Sequence, residues 1–118
     1  MTDEARTLGQ DMYVAFNARD LTALEAILAV DSVSRPLGTT GVAAVSRAWS
    51  GLFVACPEVR VTVEDMLVDR DKVAVRSVLC GISGGAPDTA PTMMEIFRVR
   101  HGRIAELWGL SSLARHGG

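Results

Sequence analysis

Thr92-Met93-Met94-Glu95-Ile96-Phe97-Arg98-Val99-Arg100, His101-Gly102, then Arg103-Ile104-Ala105-Glu106-Leu107-Trp108-Gly109-Leu110 is the stretch that decides the fold. Two runs suited to a pleated, half-buried surface flank a two-residue turn, the pattern of a β-hairpin. Along the first run Met93, Glu95, Phe97 and Val99 share one face, because strand side chains alternate. Upstream, Lys72 to Ile82 is rich in β-branched residues and follows the turn Asp69-Arg70-Asp71. Before it, Arg60-Val61-Thr62-Val63-Glu64 alternates as a strand does. Gly84 to Pro91, with four Gly and Pro residues, reads as a loop between strands.

The first half of the chain has a different period. Leu8, Met12, Ala15 and Phe16 recur at helical spacing, so a first helix should run from a Thr2 or Asp3 cap to about Ala18. Asp20-Leu21-Thr22 restarts a short helix that buries Leu24, Ile27 and Leu28 and ends near Val30-Asp31. An extended piece follows through Val33 and Arg35, and Pro36 stops it. Gly38-Thr39-Thr40-Gly41 reads as a turn holding a helix cap. A third helix spans about Val42 to Ala55, with Val45, Trp49, Leu52 and Phe53 inward and Pro57 just beyond its end. Helices first and an antiparallel meander afterwards define an α+β domain. The expected architecture is a curved antiparallel sheet wrapped around three N-terminal helices, a cone with an internal pocket, formed by residues 1–118 as one domain.

The bulk properties fit this reading. Of 118 residues 48% are hydrophobic and 22% charged, as in globular proteins. A net charge of −2 gives no basic surplus for a phosphate backbone, so nucleic acid is a poor partner. No apolar run reaches the ~20 residues of a membrane span. The opening Met1-Thr2-Asp3-Glu4-Ala5-Arg6 lacks the apolar core of a signal peptide, so the expected location is cytoplasmic. Cys56 and Cys80, set among apolar residues, read as buried free thiols. Neither the cysteines nor the histidines, His101 and His116, have metal-ligand spacing, so no metal site is expected.

Several segments resemble the SnoaL-like polyketide cyclases and, more distantly, the ketosteroid isomerases of the nuclear-transport-factor-2-like superfamily. They are Tyr13-Val14-Ala15-Phe16-Asn17-Ala18-Arg19-Asp20-Leu21, Arg60 to Asp65, Asp71 to Arg76, Glu95 to Val99 and Gly102 to Trp108. The resemblance covers nearly the whole chain and implies a fold that carries many activities, so function has to be argued from the site.

That resemblance implies a candidate site. Glu95 matches the isomerases' oxyanion-binding carboxyl group, for which ketosteroid isomerase is the standard illustration of an acid kept protonated by an apolar pocket. An aspartate general base precedes the proline in the isomerases; here Arg35 precedes Pro36, and a guanidinium cannot take a proton from carbon. The isomerases' first-helix tyrosine falls at Met12, with Tyr13 one residue on and turned by about 100°. Tyr13 is read either as a packing residue with a wet hydroxyl or as part of the pocket. Cyclases place an acid just after the last-strand tryptophan; Gly109 follows Trp108 here.

Arg76 shares a strand face with Ala74, Val78 and Cys80 and is the expected partner of Glu95, either in the cavity or as an ion pair on the solvent face. The expected catalytic residues are therefore Glu95, Arg76 and Arg35. The expected substrate-binding residues are Met12, Tyr13, Trp49, Phe53, Phe97, Leu107, Gly109 and Ser111. Trp49 and Phe53 suit either core or pocket wall, and Trp108 suits a dimer interface.

The expected function is cofactor-free acid–base chemistry on a polycyclic, polyketide-like apolar molecule: ring closure, isomerisation, dehydration or epoxide opening. The partners are that small molecule and a second copy in a homodimer, with no nucleic acid and no membrane. Two other readings stand beside it: a binding or accessory domain without catalysis, and a pure dimerisation module.

Overall fold

The structure is a computed structural model and describes residues 2–35, 38–82 and 90–111. Helix α1 (Thr2–Ala18) comes first, followed by a 3-10 turn (Leu21–Ala23) and α2 (Leu24–Ile27). Strands β1 (Leu28–Arg35) and β2 (Thr39–Thr40) precede α3 (Val42–Ala55). Then come β3 (Arg60–Asp69), β4 (Lys72–Cys80), β5 (Thr92–Arg100) and β6 (Arg103–Ser111). The six strands form one open sheet in the order β2-β1-β6-β5-β4-β3. No helix among the described residues is long and apolar enough to cross a membrane.

The sheet is mixed, where the sequence period implied an antiparallel one. Strands β3 to β6 form an antiparallel meander, but β1 runs parallel to β6, pairing Val33 with Glu106 and Arg35 with Trp108. A parallel partner distant in the chain leaves no mark on local alternation. The second helix is also shorter than expected: it ends at Ile27, and Leu28 to Asp31 are already strand. Thr39 and Thr40 form the short β2 rather than a cap, and Gly41 takes the N-cap position at φ 95° without a side-chain bond. Pro36 and most of the Gly84–Pro91 loop lie outside the described residues, as does His116.

Helix α1 buries Ala5, Leu8, Met12, Tyr13, Ala15 and Phe16 against the inner face of the sheet. It ends in a Schellman motif: the Asp20 N–H donates to the Ala15 carbonyl (2.9 Å) and the Arg19 N–H to that of Phe16 (3.1 Å). Arg19 holds the left-handed position at φ 60°, and its guanidinium donates to the Pro57 carbonyl (2.9 Å) over the Phe53 ring (4.5 Å). The inner face of the sheet supplies Val61, Val73, Val75, Ser77, Leu79, Phe97, Val99, Ile104 and Leu107. Bulges at Glu64 in β3 and at Ala105 in β6 switch which parity of those strands faces inward and bend them. Cys56 is buried as expected, but Cys80 is exposed, because β4 turns its even positions outward.

One close approach closes the far end of β4. Gly81, at φ 79°, passes so near the preceding loop that a Cβ would lie 2.3 Å from the Glu58 carbonyl oxygen. Only glycine fits that backbone.

Candidate functional site

The inner face of the sheet and the two long helices line a partly open cavity of about 200 Å³. Helix α1 contributes Met12, Tyr13 and Phe16, and α3 contributes Ala48, Trp49 and Leu52. The strands contribute Val61, Leu79, Met93, Glu95, Phe97 and Leu107. Glu95 enters because it shares the inward parity of Met93, Phe97 and Val99. Its carboxylate is the one charged group among the described lining residues.

Tyr13 supplies its partner. The Tyr13 hydroxyl donates to Glu95 Oε1 at 2.6 Å, linking α1 to β5 across the cavity. The turn of about 100° from Met12 leaves Tyr13 inside the buried arc, because α1 packs through a face wide enough to bury both residues. The packing reading of Tyr13 is thus replaced by a hydrogen-bonded pair. Burial pushes the Glu95 carboxyl above its usual range, and the Tyr13 hydrogen bond partly offsets this. The Tyr13 phenol is pushed far up, first by burial and then by the Glu95 charge and hydrogen bond, so it stays neutral.

A side-chain clamp fixes α1 relative to the sheet. Asn17 Nδ2 donates to the Val61 carbonyl (2.9 Å), and the Val61 N–H donates to Asn17 Oδ1 (2.8 Å). Strand β3 is an edge of the sheet, and the Asn17 amide pairs with it as a neighbouring strand would. Asn17 lies one turn after Tyr13, on the same helix face, so the clamp also sets where the phenol points. Its signal in the sequence was a polar residue at i+4 on the apolar stripe. Asn17→Ala leaves both backbone groups unpaired and is expected to cost about 1–3 kcal/mol, measurable by urea denaturation.

The two arginines stand elsewhere. Arg76 pairs in register with Met94, on the outer face of the sheet, while Glu95 pairs with Val75 on the inner face. The bulge in β3 places Glu64 and Asp65 beside Arg76. The guanidinium donates to Asp65 Oδ2 (2.9 Å from Nε) and Glu64 Oε1 (2.8 Å). The expected Arg76–Glu95 pair is therefore not formed, and Arg76 belongs to an exposed ion-pair cluster.

Arg35 is also outside the cavity. Its Nε donates to Glu106 Oε2 (3.2 Å), and its guanidinium lies 5.7 Å from the Trp108 ring centroid. The parallel register of β1 against β6 fixes that outward position.

The expected wall residues divide in the same way. Met12, Tyr13, Trp49, Phe97 and Leu107 line the cavity. Phe53 packs behind it, its ring 5.0 Å from that of Phe16 and 6.3 Å from that of Trp49. Gly109 sits directly opposite Glu95 in the β5–β6 ladder. A Cβ there would lie 3.6 Å from Glu95 Cγ and 3.7 Å from Oε2, so the glycine leaves the carboxyl its room. Ser111 pairs with Met93 at the end of β6, and its side chain lies outside the description. Among the described residues no group of His, Cys, Asp and Glu is arranged to hold a metal ion.

Known structures share this fold. Wild-type IdmH of Streptomyces antibioticus, a candidate polyketide cyclase, is 28% identical; the match covers 97% of this chain and 99% of that one at a TM-score of 0.78. A loop-truncation variant of IdmH gives 29% identity over 93% and 94% of the two chains, with a TM-score of 0.80. A candidate polyketide cyclase of Sinorhizobium meliloti is 28% identical over 88% of this chain and 94% of that one, at 0.73. No curated protein matches the sequence significantly. The family model of the SnoaL-like domain matches residues 10–107, and the chain belongs to that family.

Proposed function

We propose that the protein is a cofactor-free acid–base enzyme that closes a ring in, or isomerises, an apolar small molecule, with Glu95 as its proton-transfer group. The observation that supports this is the Tyr13–Glu95 hydrogen bond inside an otherwise apolar cavity. Tyr13 occupies Oε1 and leaves Oε2 to the ligand. A carboxylate made more basic by burial is suited to take a proton from carbon beside a carbonyl. Once protonated, the same group returns that proton to another carbon or to the oxygen of the closing ring. Tyr13 keeps its own proton and orients the carboxyl. Arginine-assisted epoxide opening loses support, since Arg35 and Arg76 face away.

Gly109, where cyclases carry an acid, favours a second reading: a binding domain without turnover. Product analysis by mass spectrometry over cyclic ketones and their open-chain precursors separates the two, with turnover expected for the first and none for the second. The pH profile then assigns the base. Ionised Glu95 is required, so kcat/KM rises with pH through its raised pKa. Tyr13→Phe removes a hydrogen bond that stabilises the ionised form, and the midpoint is expected to move further up. A hydrogen bond to a charged group is worth about 1.5–3 kcal/mol, so the rate below that midpoint is expected to fall ~10–100-fold. A midpoint that moves down contradicts the assignment.

The outer face of the sheet fits a second copy of this chain. Met94, Ile96, Trp108 and Leu110 are 47–71% exposed there and lie side by side on β5 and β6. An apolar patch of this kind, rimmed by Arg76 with Glu64 and by Arg35 with Glu106, is what a self-complementary contact buries. Sedimentation is expected to give twice the chain mass, and Trp108→Glu is expected to give the monomer. A monomeric parent sinks the homodimer.

A further inference from the structure

We infer that the cavity selects an uncharged ligand of one or two fused rings that carries a single oxygen function at one end; this rests on the proposed use of Glu95 and fixes what Glu95 acts upon. Three observations support it. The first is volume. Drug-sized ligands occupy pockets of about 300–1,000 Å³, and this cavity measures about 200 Å³. A cavity below that range suits a compact ligand of one or two six-membered rings better than one of four fused rings.

The second observation is charge. The described lining contains no lysine, arginine or histidine, and both arginines expected there are committed to ion pairs on the outer face. An anionic ligand has no counter-charge in the cavity and meets the Glu95 carboxylate. Like charges in a desolvated site repel strongly, so carboxylate and phosphate ligands are excluded.

The third is polarity. Ten of the twelve described lining residues are apolar, and the remaining two, Tyr13 and Glu95, are bonded to each other. Among the described residues, polar atoms on a ligand find partners only at that end. Elsewhere they meet Met12, Phe16, Trp49, Leu52, Met93 and Phe97 and would be left unpaired.

Calorimetric titration with three probes tests this: 2-naphthol (neutral, two rings), 2-naphthoate (the same bulk with a negative charge) and a four-ring steroidal phenol. The expected order places 2-naphthol at least ~10-fold tighter than either of the others. Leu52→Ala removes wall bulk and is expected to improve the four-ring phenol relative to 2-naphthol by at least a similar factor, with circular dichroism confirming the fold. Equal or tighter binding of the four-ring phenol by the parent protein overturns the size limit, and so does a ratio unmoved by Leu52→Ala. Equal binding of 2-naphthoate overturns the charge limit. No binding of 2-naphthol up to about 1 mM overturns both. These titrations measure binding alone, so a failure of catalysis at Glu95 leaves their outcome unchanged and is seen separately, in turnover.

Discussion

Glu95→Gln is expected to remove turnover while making the folded protein more stable. Glutamine keeps the shape of glutamate and still accepts from the Tyr13 hydroxyl through its amide oxygen, so the cavity retains its geometry. It cannot exchange a proton, and loss of a general acid–base group lowers kcat by ~10²–10⁴-fold. The stability effect has the opposite sign. Burial raises the Glu95 pKa in the folded state above its unfolded value. The folded protein therefore holds more protons than the unfolded chain between those two values, and stability falls as pH rises through that window. Glutamine carries no charge to desolvate. Thermal unfolding is expected to show a gain of about 0.5–2 kcal/mol at neutral pH, the range common for a single stabilising substitution. The same scans are expected to show a flatter stability profile above the ordinary carboxylate range. A variant that keeps full turnover moves the chemistry elsewhere, and one that loses stability at neutral pH contradicts the desolvated carboxylate.

Gly81→Ala is expected to have the largest effect on folding. The added Cβ would lie 2.3 Å from the Glu58 carbonyl oxygen and 2.6 Å from its carbon. Both are backbone atoms, so no rotamer change relieves the contact. The left-handed backbone adds about 1–2 kcal/mol of its own for an L-residue. A total cost of at least ~3 kcal/mol is a large share of the 5–15 kcal/mol that holds a typical domain together. Gly51 in α3 is the internal control, because a Cβ there meets nothing within 4 Å. Gly51→Ala is expected to stabilise by about 0.5–1 kcal/mol through helix propensity. Denaturant unfolding of both variants beside the parent reads the contrast, and similar midpoints for the two would show that the β4 end yields more easily than its contacts imply.

The sequence carried the meander and the long helices because each has one buried face, and a buried face writes its period into the chain. Glu95 was legible on the same grounds: Met93, Phe97 and Val99 fix the inward parity of β5. Arg76 was not, because β4 is apolar at both parities. Val73, Val75 and Leu79 face inward, while Ala74 and Val78 lie on the outer face beside the exposed apolar patch. Period alone could not say which set was the core. The bulge in β3 that delivers Glu64 and Asp65 to Arg76 was equally silent, since Arg60 to Glu64 alternates regularly up to it. The parallel β1–β6 pairing fixed Arg35 outward through a contact 70 residues and more away along the chain, where no local pattern reaches. Tyr13 fell between: its burial followed from the breadth of the helix stripe, but its bond to Glu95 needed both elements in place.

That parallel pairing also orders events in time. During synthesis β1 leaves the ribosome long before β6, and until β6 arrives the inner edge of β1 has no partner. The helices that precede β1 have no completed sheet to cover them, and their apolar stripes stay open to solvent or to chaperones. Such distant pairing slows folding relative to topologies built from local contacts. It also means that the wall carrying Leu107, one side of the cavity, is built last, so the nascent chain cannot close around a ligand before the final strand docks.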